Sequence, residues 1–318
     1  MNIYPNFHTV RLLLALEVVV SHASPYFLGQ AWDGWIMAVP AFLGVSGFLV
    51  LHSHSHTRND GVFLKKRALR VLPAMLASLA LGFFLLDTDY LRHSFIVWLT
   101  GGWVLLGAAN TPLWSLLWEE VAYVSLLMLA RLGTYRHRGW VWALFGVALT
   151  AGWAVYESDA SSYVRVLATL PASFFIGNLV YLYRHQLTRR GAWGGWGPWV
   201  ALLAVIAMSA LKHSGVLPWG PPFWLQVVVV VWLGLAGRAL LPMRSPDLSY
   251  GMYVYHMPVL DSLHRAGLWS SYGAGAAMVY FAAVVLLAAI SWYGVEKPVL
   301  SLKRRLVSSG DATMAGSR

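Results

Sequence analysis

The 318-residue chain contains no cysteine, which excludes disulfides, thiol catalysis and cysteine-ligated metals. Charge is also scarce: 11% of residues are charged against 58% hydrophobic, and the mean hydropathy is +0.59. A composition this apolar does not suit a soluble domain; it reads as an integral membrane protein. Acidic residues are the rarer sign, 13 against 23 lysines and arginines, for a formal charge of +10. The positive residues sit in short stretches between apolar runs and at Lys303-Arg304-Arg305, the distribution of topology signals, so no nucleic-acid partner is expected. The chain has neither a Gly-x-Ser-x-Gly elbow nor a Walker-type loop, which argues against a serine hydrolase and an ATP-driven pump. No metal is expected either. The run His52-Ser53-His54-Ser55-His56 alternates in a loop with no further ligand signal beside it.

Long apolar runs fill most of what remains. Hydropathy marks eleven, at about 9–28, 35–52, 71–88, 94–109, 113–131, 140–156, 165–183, 196–212, 223–241, 248–264 and 274–296. The 17 tryptophans and 15 tyrosines suit the two membrane interfaces. The first run has no clear small-x-small cleavage site, so it is read as a retained span. Arg58, Lys65, Lys66, Arg67 and Arg70 crowd the loop expected after the second run and place it, with the N-terminus, in the cytoplasm. Strict alternation through eleven spans would strand Arg131–Arg138, the Arg184–Arg190 cluster and the C-terminal basic cluster outside. One early segment failing to cross brings all three inside. The segment 94–109, broken by Gly101-Gly102, Gly107 and Pro112, is the expected half-length or re-entrant piece. The reading is therefore all-α: a polytopic transmembrane helix bundle of about ten spans plus that segment, with both termini cytoplasmic. A single domain is expected over 1–305, with a disordered polar tail over 306–318.

Five polar constellations stand out. Arg11 and His22 lie eleven residues apart in the first span; on a helix they point within about 20° of each other, roughly 16 Å apart along the axis. A lone arginine at a span end is commonly a snorkelling anchor. Sharing a face with an intramembrane histidine points instead to a polar cavity, where an imidazole takes and returns a proton as a general base must. Glu17, five residues from His22, faces elsewhere and is expected to pair with another helix. Arg67 and Arg70, at i and i+3, present two guanidinium forks on one face, suited to phosphate oxygens; Lys65 and Lys66 read as topology signals. In Trp114-Ser115-Leu116-Leu117-Trp118-Glu119-Glu120 the adjacent carboxylates point about 100° apart, and Glu119 is the one assigned to the site. Tyr253 and His256, one turn apart in Ser249–Pro258, read as a structural hydrogen bond slightly ahead of chemistry. Gly44-Val45-Ser46-Gly47-Phe48 reads first as a close helix approach.

In this order the constellations resemble acyltransferase family 3, the bacterial integral-membrane O-acyltransferases that decorate sugars and polysaccharides. The resemblance runs from Arg11 to Pro298. It rests on Arg11-x10-His22, Ser46-Gly47-Phe48, Arg67-x-x-Arg70, Trp114-Ser115-Leu116-x-x-Glu119, Ser249-Tyr250-x-x-Tyr253-x-x-His256 and Glu296-Lys297-Pro298. It implies a multi-pass protein of the bacterial inner membrane whose acyl-CoA donor, acetyl-CoA above all, enters from the cytoplasm. The acceptor would be a hydroxyl of an envelope polysaccharide, lipopolysaccharide O-antigen, exopolysaccharide or lipid-linked glycan, often presented on the far side, with membrane lipids around the bundle. Val45-Ser46 and Leu117-Trp118 vary from the family pattern, and the C-terminal periplasmic hydrolase-like domain of some relatives is not expected. His22, Arg11 and Glu119 are then the candidate catalytic residues, Arg67 and Arg70 the donor-binding pair, and Ser46, Trp114, Ser115, Tyr253 and His256 supporting residues. From the residues alone, the intramembrane Arg, His and Glu would also suit a proton-coupled transporter of a small metabolite or lipid-linked sugar. A non-catalytic envelope subunit fits least, since burying charge without use is costly.

Overall fold

The computed structural model describes residues 4, 6–32, 34–57, 59–189, 195–217, 222–242 and 245–301; Arg58, Arg190, Lys303–Arg305 and the tail 306–318 lie outside the described residues. Among these residues there is no strand. The helices in chain order are α1 (Asn6–Phe27), α2 (Ala38–Ser55), α3 (Asp60–Leu85), α4 (Thr88–Thr100), α5 (Trp114–Arg131), α6 (Arg138–Tyr156), α7 (Ser162–Leu182), α8 (Arg184–Arg189), α9 (Gly197–His213), α10 (Phe223–Ala236), α11 (Ser249–Arg265), α12 (Leu268–Tyr272) and α13 (Ala274–Ser291). A 3-10 turn, Thr111–Leu113, leads into α5, and a π-helical turn, Trp292–Glu296, follows α13. Seven of the described helical segments are long and apolar enough to cross a membrane: α1, α2, α3, Thr111–Arg131, α6, α7 and Ala274–Ser301. The apolar helices α9 and α10 are shorter; at 14 residues α10 measures about 21 Å.

Two expectations change here. The basic stretch from Lys65 to Arg70 is not a loop, because α3 starts at Asp60 under the Asn59 cap, whose side chain accepts from the Val62 amide; a good N-cap lets the helix begin before the apolar run does. For the same reason of helix continuation, His52 and His54 belong to the end of α2.

The chain divides into two compact units: one of residues 1–18, 33–53 and 121–245, the other of 19–32, 54–120 and 246–318. In the first unit, α2 and α7 approach at backbone contact. A Cβ on Gly177 would lie 2.0 Å from the Gly44 carbonyl oxygen, and one on Gly47 would lie 2.2 Å from that of Phe174. The small residues around Ser46 are thus a packing seam. Glu17 does not pair with another helix: its Oε1 accepts from the Trp35 amide at 2.5 Å and the Ile36 amide at 2.7 Å. Glu17 stands ten residues, about 15 Å, before the end of α1, so the chain doubles back along α1 before α2 begins. Gly34, at φ 82°, makes this approach possible, since a Cβ there would sit 2.7 Å from the Glu17 carboxylate. Gln226 closes the segment by accepting from the Met37 amide at 2.9 Å.

In the second unit α11 is buried from Ser249 to Leu260 and packs on α3, α13 and the 3-10 turn. Pro258 has no amide to offer the Val254 carbonyl, and the Asn110 side chain donates to that oxygen at 2.8 Å instead. The Asn110 amide donates to Ser94 Oγ at 2.8 Å, while Trp118 Nε1 donates to the Gly101 carbonyl at 3.2 Å. Advancing along the chain from Asn110 to Trp118 therefore advances along α4 from Ser94 to Gly101, so α4 and α5 run parallel. Thirteen residues of α4 reach about 20 Å, Gly101 ends it in the left-handed region at φ 58°, and residues 103–108 return exposed. The segment marked as broken in sequence is a partial helix with an irregular return.

At the other end of α11, Asp87 caps α4 by accepting from the Tyr90 amide at 2.7 Å and pairs with Arg265 at 2.5 Å. These contacts, the amide first, hold its carboxyl below the usual aspartate range. The depressed value means the contribution is complete above the ordinary aspartate pKa of about 3.9 and is lost as pH falls through the lower folded value. Asp87→Asn keeps the cap but not the charge. Its melting temperature in detergent should fall below that of the parent at pH 7, and the gap should close as both are measured at progressively more acidic pH.

Candidate active site

His22 lies in the last third of α1, half-buried, and its ring centroid is 5.0 Å from that of His256 with the planes at 61°. His256 is completely buried. Its side chain curls back over the preceding turn of α11, placing Nδ1 2.8 Å from the Tyr253 carbonyl oxygen and 3.3 Å from that of Met252. A carbonyl only accepts, so Nδ1 carries the hydrogen. Nε2 is buried without a hydrogen-bond partner.

The Tyr253 hydroxyl does not reach His256. It lies 3.0 Å from the Pro112 carbonyl oxygen and 2.7 Å from Ser115 Oγ, which itself lies 3.1 Å from the same carbonyl, so the two hydroxyls and that oxygen form one hydrogen-bonded cluster. Tyr253 and Ser115 thereby tie α11 to the turn that starts α5, the helix carrying Trp114, Glu119 and Glu120. The Tyr253 and His256 rings do meet, edge to face with centroids 6.2 Å apart, but the hydrogen bond read from sequence is made instead between Tyr253 and Ser115, and the histidine is anchored by backbone.

The two arginines of α3 part company. Arg70 Nη2 lies 2.6 Å from Asp247 Oδ2, and Nη1 lies 3.4 Å from Glu296 Oε2. Its guanidinium also stands 5.7 Å from the centre of the Tyr250 ring. The network continues from Ser249 to Asp247 at 2.6 Å, and from Tyr255 through Ser291 to Glu296 at 3.2 and 3.3 Å. Where the i, i+3 spacing suggests two forks sharing one phosphate, burial gives Arg70 two carboxylates, because a charge this enclosed needs a paired counter-charge. Arg67, half-buried with its guanidinium 5.8 Å from the Phe63 ring, lies one turn closer to the start of α3.

His22, Arg67, Arg70, Trp114, Ser115, Glu119, Tyr253 and His256 all fall in the second unit; Arg11, in the first half of α1, and Ser46, in α2, fall in the first. Asp247 and Asn110 were not singled out in sequence. Asp247 precedes the Ser249 motif in a polar linker, and Asn110 is a loop amide two residues before Pro112; only their long-range partners mark them. No group of three or more His, Cys, Asp or Glu suited to a metal ion occurs among the described residues.

Comparison with known proteins places this arrangement. The chain is 26% identical to nodulation protein 10 of Rhizobium leguminosarum bv. viciae, over 95% of each chain. It is 27% identical to an O-acetyl transferase of Shigella phage Sf6, over 93% of this chain and 96% of that one. No solved structure gives a significant match. A family profile described as an acyltransferase domain matches residues 4–296. That match covers nearly the whole chain, including the histidine pair on α1 and α11 and the arginines of α3, and it makes the protein an enzyme of the acyltransferase 3 family.

Proposed function

We propose that the protein is a multi-pass inner-membrane O-acyltransferase that moves an acyl group, most simply acetyl, from acyl-CoA to a hydroxyl of an envelope glycan or lipid-linked sugar. The observation that carries this reading is His22, an imidazole inside a membrane-length helix, at ring contact with a fully buried second histidine. The name of the phage relative, an O-acetyl transferase, supports the acetyl group and the oxygen acceptor. In the proposed reaction His22 takes the proton of the acceptor hydroxyl while its oxygen attacks the thioester carbonyl. The carbon–oxygen bond forms, the carbon–sulfur bond breaks, and the proton passes from His22 to the leaving thiolate, giving ester and CoA thiol. Arg11 steadies the negative charge that develops on the carbonyl oxygen, and Glu119 orients the acceptor. Arg67 holds donor phosphates, while Arg70 keeps α3 in register with the Asp247 and Glu296 carboxylates. Ten crossings with both termini cytoplasmic are proposed for the bundle; the partial helix α4 with its irregular return, running parallel to α5, supports this reading, as a segment that enters without crossing would have that form.

Purified protein in vesicles, given radiolabelled acetyl-CoA and envelope glycan, should form labelled ester. Proton-coupled flux without new ester would instead favour transport. Arg67→Ala should raise the KM for acetyl-CoA by roughly tenfold or more, the equivalent of one charge-assisted contact of about 1.5–3 kcal/mol, with a smaller effect on kcat. An unchanged KM would remove Arg67 from the donor site.

A further inference from the structure

We infer that the end of the α6–α7 pair carries a seat for an anionic phospholipid, built from Arg138 and Tyr183 and flanked by Arg136 and Trp142. Such a seat is independent of the acyl-transfer chemistry proposed above.

Between Val121 and Pro246 the sequence has only two carboxylates, Glu157 and Asp159. Both follow the far end of α6, about 28 Å from Arg138, which begins that helix. Arg136 and Arg138 make no ion pair and no side-chain hydrogen bond among the described residues. Arg138 is held instead by an aromatic face, its guanidinium 4.6 Å from the centre of the Tyr183 ring. A guanidinium stacked this way keeps its planar fork of N–H donors available. The tendency of arginines to mark one end of a span explains their position here, but not a fork fixed on a ring without an acceptor.

Tyr183 adds a second donor. Its hydroxyl accepts from Trp142 Nε1 at 3.2 Å; an indole only donates, so the phenol keeps its own hydrogen for another acceptor. The fork and the hydroxyl belong to one stacked pair, within a single phosphate group's reach of each other, and phosphate oxygens are the acceptors that suit both. Gly139 leaves the adjoining space open, since a Cβ there would meet nothing within 4 Å. The neighbouring turn is fixed as well: the Tyr135 hydroxyl accepts from buried Asn178 at 3.4 Å, which holds exposed Arg136 at the same end of α7.

The rest of α6 suits acyl chains. It packs on α7 and on the turn Thr134–Arg136, and only Val141 and Gly152 among its residues are buried. Its 19 residues match a hydrocarbon core about 30 Å thick, so Arg138 stands at headgroup level. Trp142, Phe145 and Gly146 follow Arg138 on one helical face. Trp142 is 49% exposed, an amphipathic ring at interface depth, and a Cβ on Gly146 would meet nothing within 4 Å. A soluble phosphate would use the donors but leave this apolar track uncovered; a phospholipid uses both. Two arginines without carboxylates select a headgroup of net negative charge over one that carries its own cation.

The test titrates the purified full chain in non-ionic detergent with dioleoyl phosphatidylglycerol and, separately, with dioleoyl phosphatidylcholine. Native mass spectra give the affinities and melting curves the stabilisation. Phosphatidylglycerol should bind about tenfold more tightly and, near saturation, raise the melting temperature by about 4 °C, against about 1 °C or less for phosphatidylcholine. Arg138→Ala should weaken phosphatidylglycerol binding about tenfold, the loss of one charge-assisted contact. Arg138→Lys, which keeps the charge without the planar fork, should weaken it about fivefold, and Tyr183→Phe about threefold. Lys212→Ala, which removes an exposed charge from the last turn of α9, should stay within about twofold of the parent. Parental affinity in Arg138→Lys would reduce the seat to diffuse positive charge and overturn the proposal, as would equal binding of the two lipids or equal losses in Arg138→Ala and Lys212→Ala. Displacement of the lipid by millimolar inorganic phosphate or acetyl-CoA would assign the donors to a soluble phosphate. A dimer that forms only without the lipid would give the face to a second copy. Either result overturns the lipid seat.

Discussion

His22→Ala should reduce acyl transfer at least 1,000-fold while leaving the protein at normal abundance in the membrane. Removing a general base costs about 10² to 10⁴ in rate, and in the proposed reaction the same imidazole also delivers the proton to the thiolate, so both halves of the transfer would fail together. Loss of folding is not the expected cause. His22 is half-buried rather than enclosed, alanine is the best helix former, and the α1 backbone around it is secured by other groups. Pro25 leaves the Ser21 carbonyl without its helical amide, and Ser24 Oγ donates to that oxygen at 2.7 Å while accepting from the Trp32 amide at 2.8 Å. The measurement is labelled-ester formation per mole of purified protein, beside a melting curve. A variant that folds normally and retains parental activity would sink the assignment of His22 as base.

The second large effect concerns stability. Gly177→Val should prevent recovery of folded protein, and Gly47→Val should do the same. Beyond the 2.0 Å approach to the Gly44 carbonyl oxygen, a Cβ on Gly177 would lie 2.6 Å from the Phe48 amide nitrogen. Both neighbours are backbone, so no side chain can rotate away; α2 and α7 would have to separate. Overpacking a close contact typically costs about 1–3 kcal/mol and sometimes more, a large part of the 5–15 kcal/mol that holds an ordinary domain folded. Gly146→Ala in α6 is the control, because its added Cβ meets nothing within 4 Å and alanine favours a helix over glycine by about 1 kcal/mol. Size-exclusion profiles and melting temperatures in one detergent should separate the two classes. Monodisperse Gly177→Val protein with a parental melting temperature would refute the seam.

These contacts show which features were legible in one dimension. Apolar runs mark helices well because burial in lipid demands an internally bonded backbone whatever the neighbours are; the runs at 113–131, 196–212 and 248–264 correspond to α5, α9 and α11 within one residue at each end. The break at Gly101 was readable for a similar local reason, since glycine readily takes the left-handed conformation that ends α4. Where α3 begins was less legible, because a polar first turn with an asparagine cap resembles a loop in hydropathy.

What the sequence by itself determined is the membrane class, most helix positions, the interrupted fourth segment and the family motifs, all consequences of composition and of spacing within one helix. Only the tertiary structure decided partnership. Arg67 and Arg70 share a face, yet Arg70 meets Asp247 and Glu296, 177 and 226 residues away. Tyr253 and His256 share a turn, yet the tyrosine bonds Ser115 and the histidine stands against His22. Spacing along a helix says which side chains point the same way; which charge or lone pair awaits them depends on the helix packed opposite, and that is settled when burial forces each polar group to find a partner.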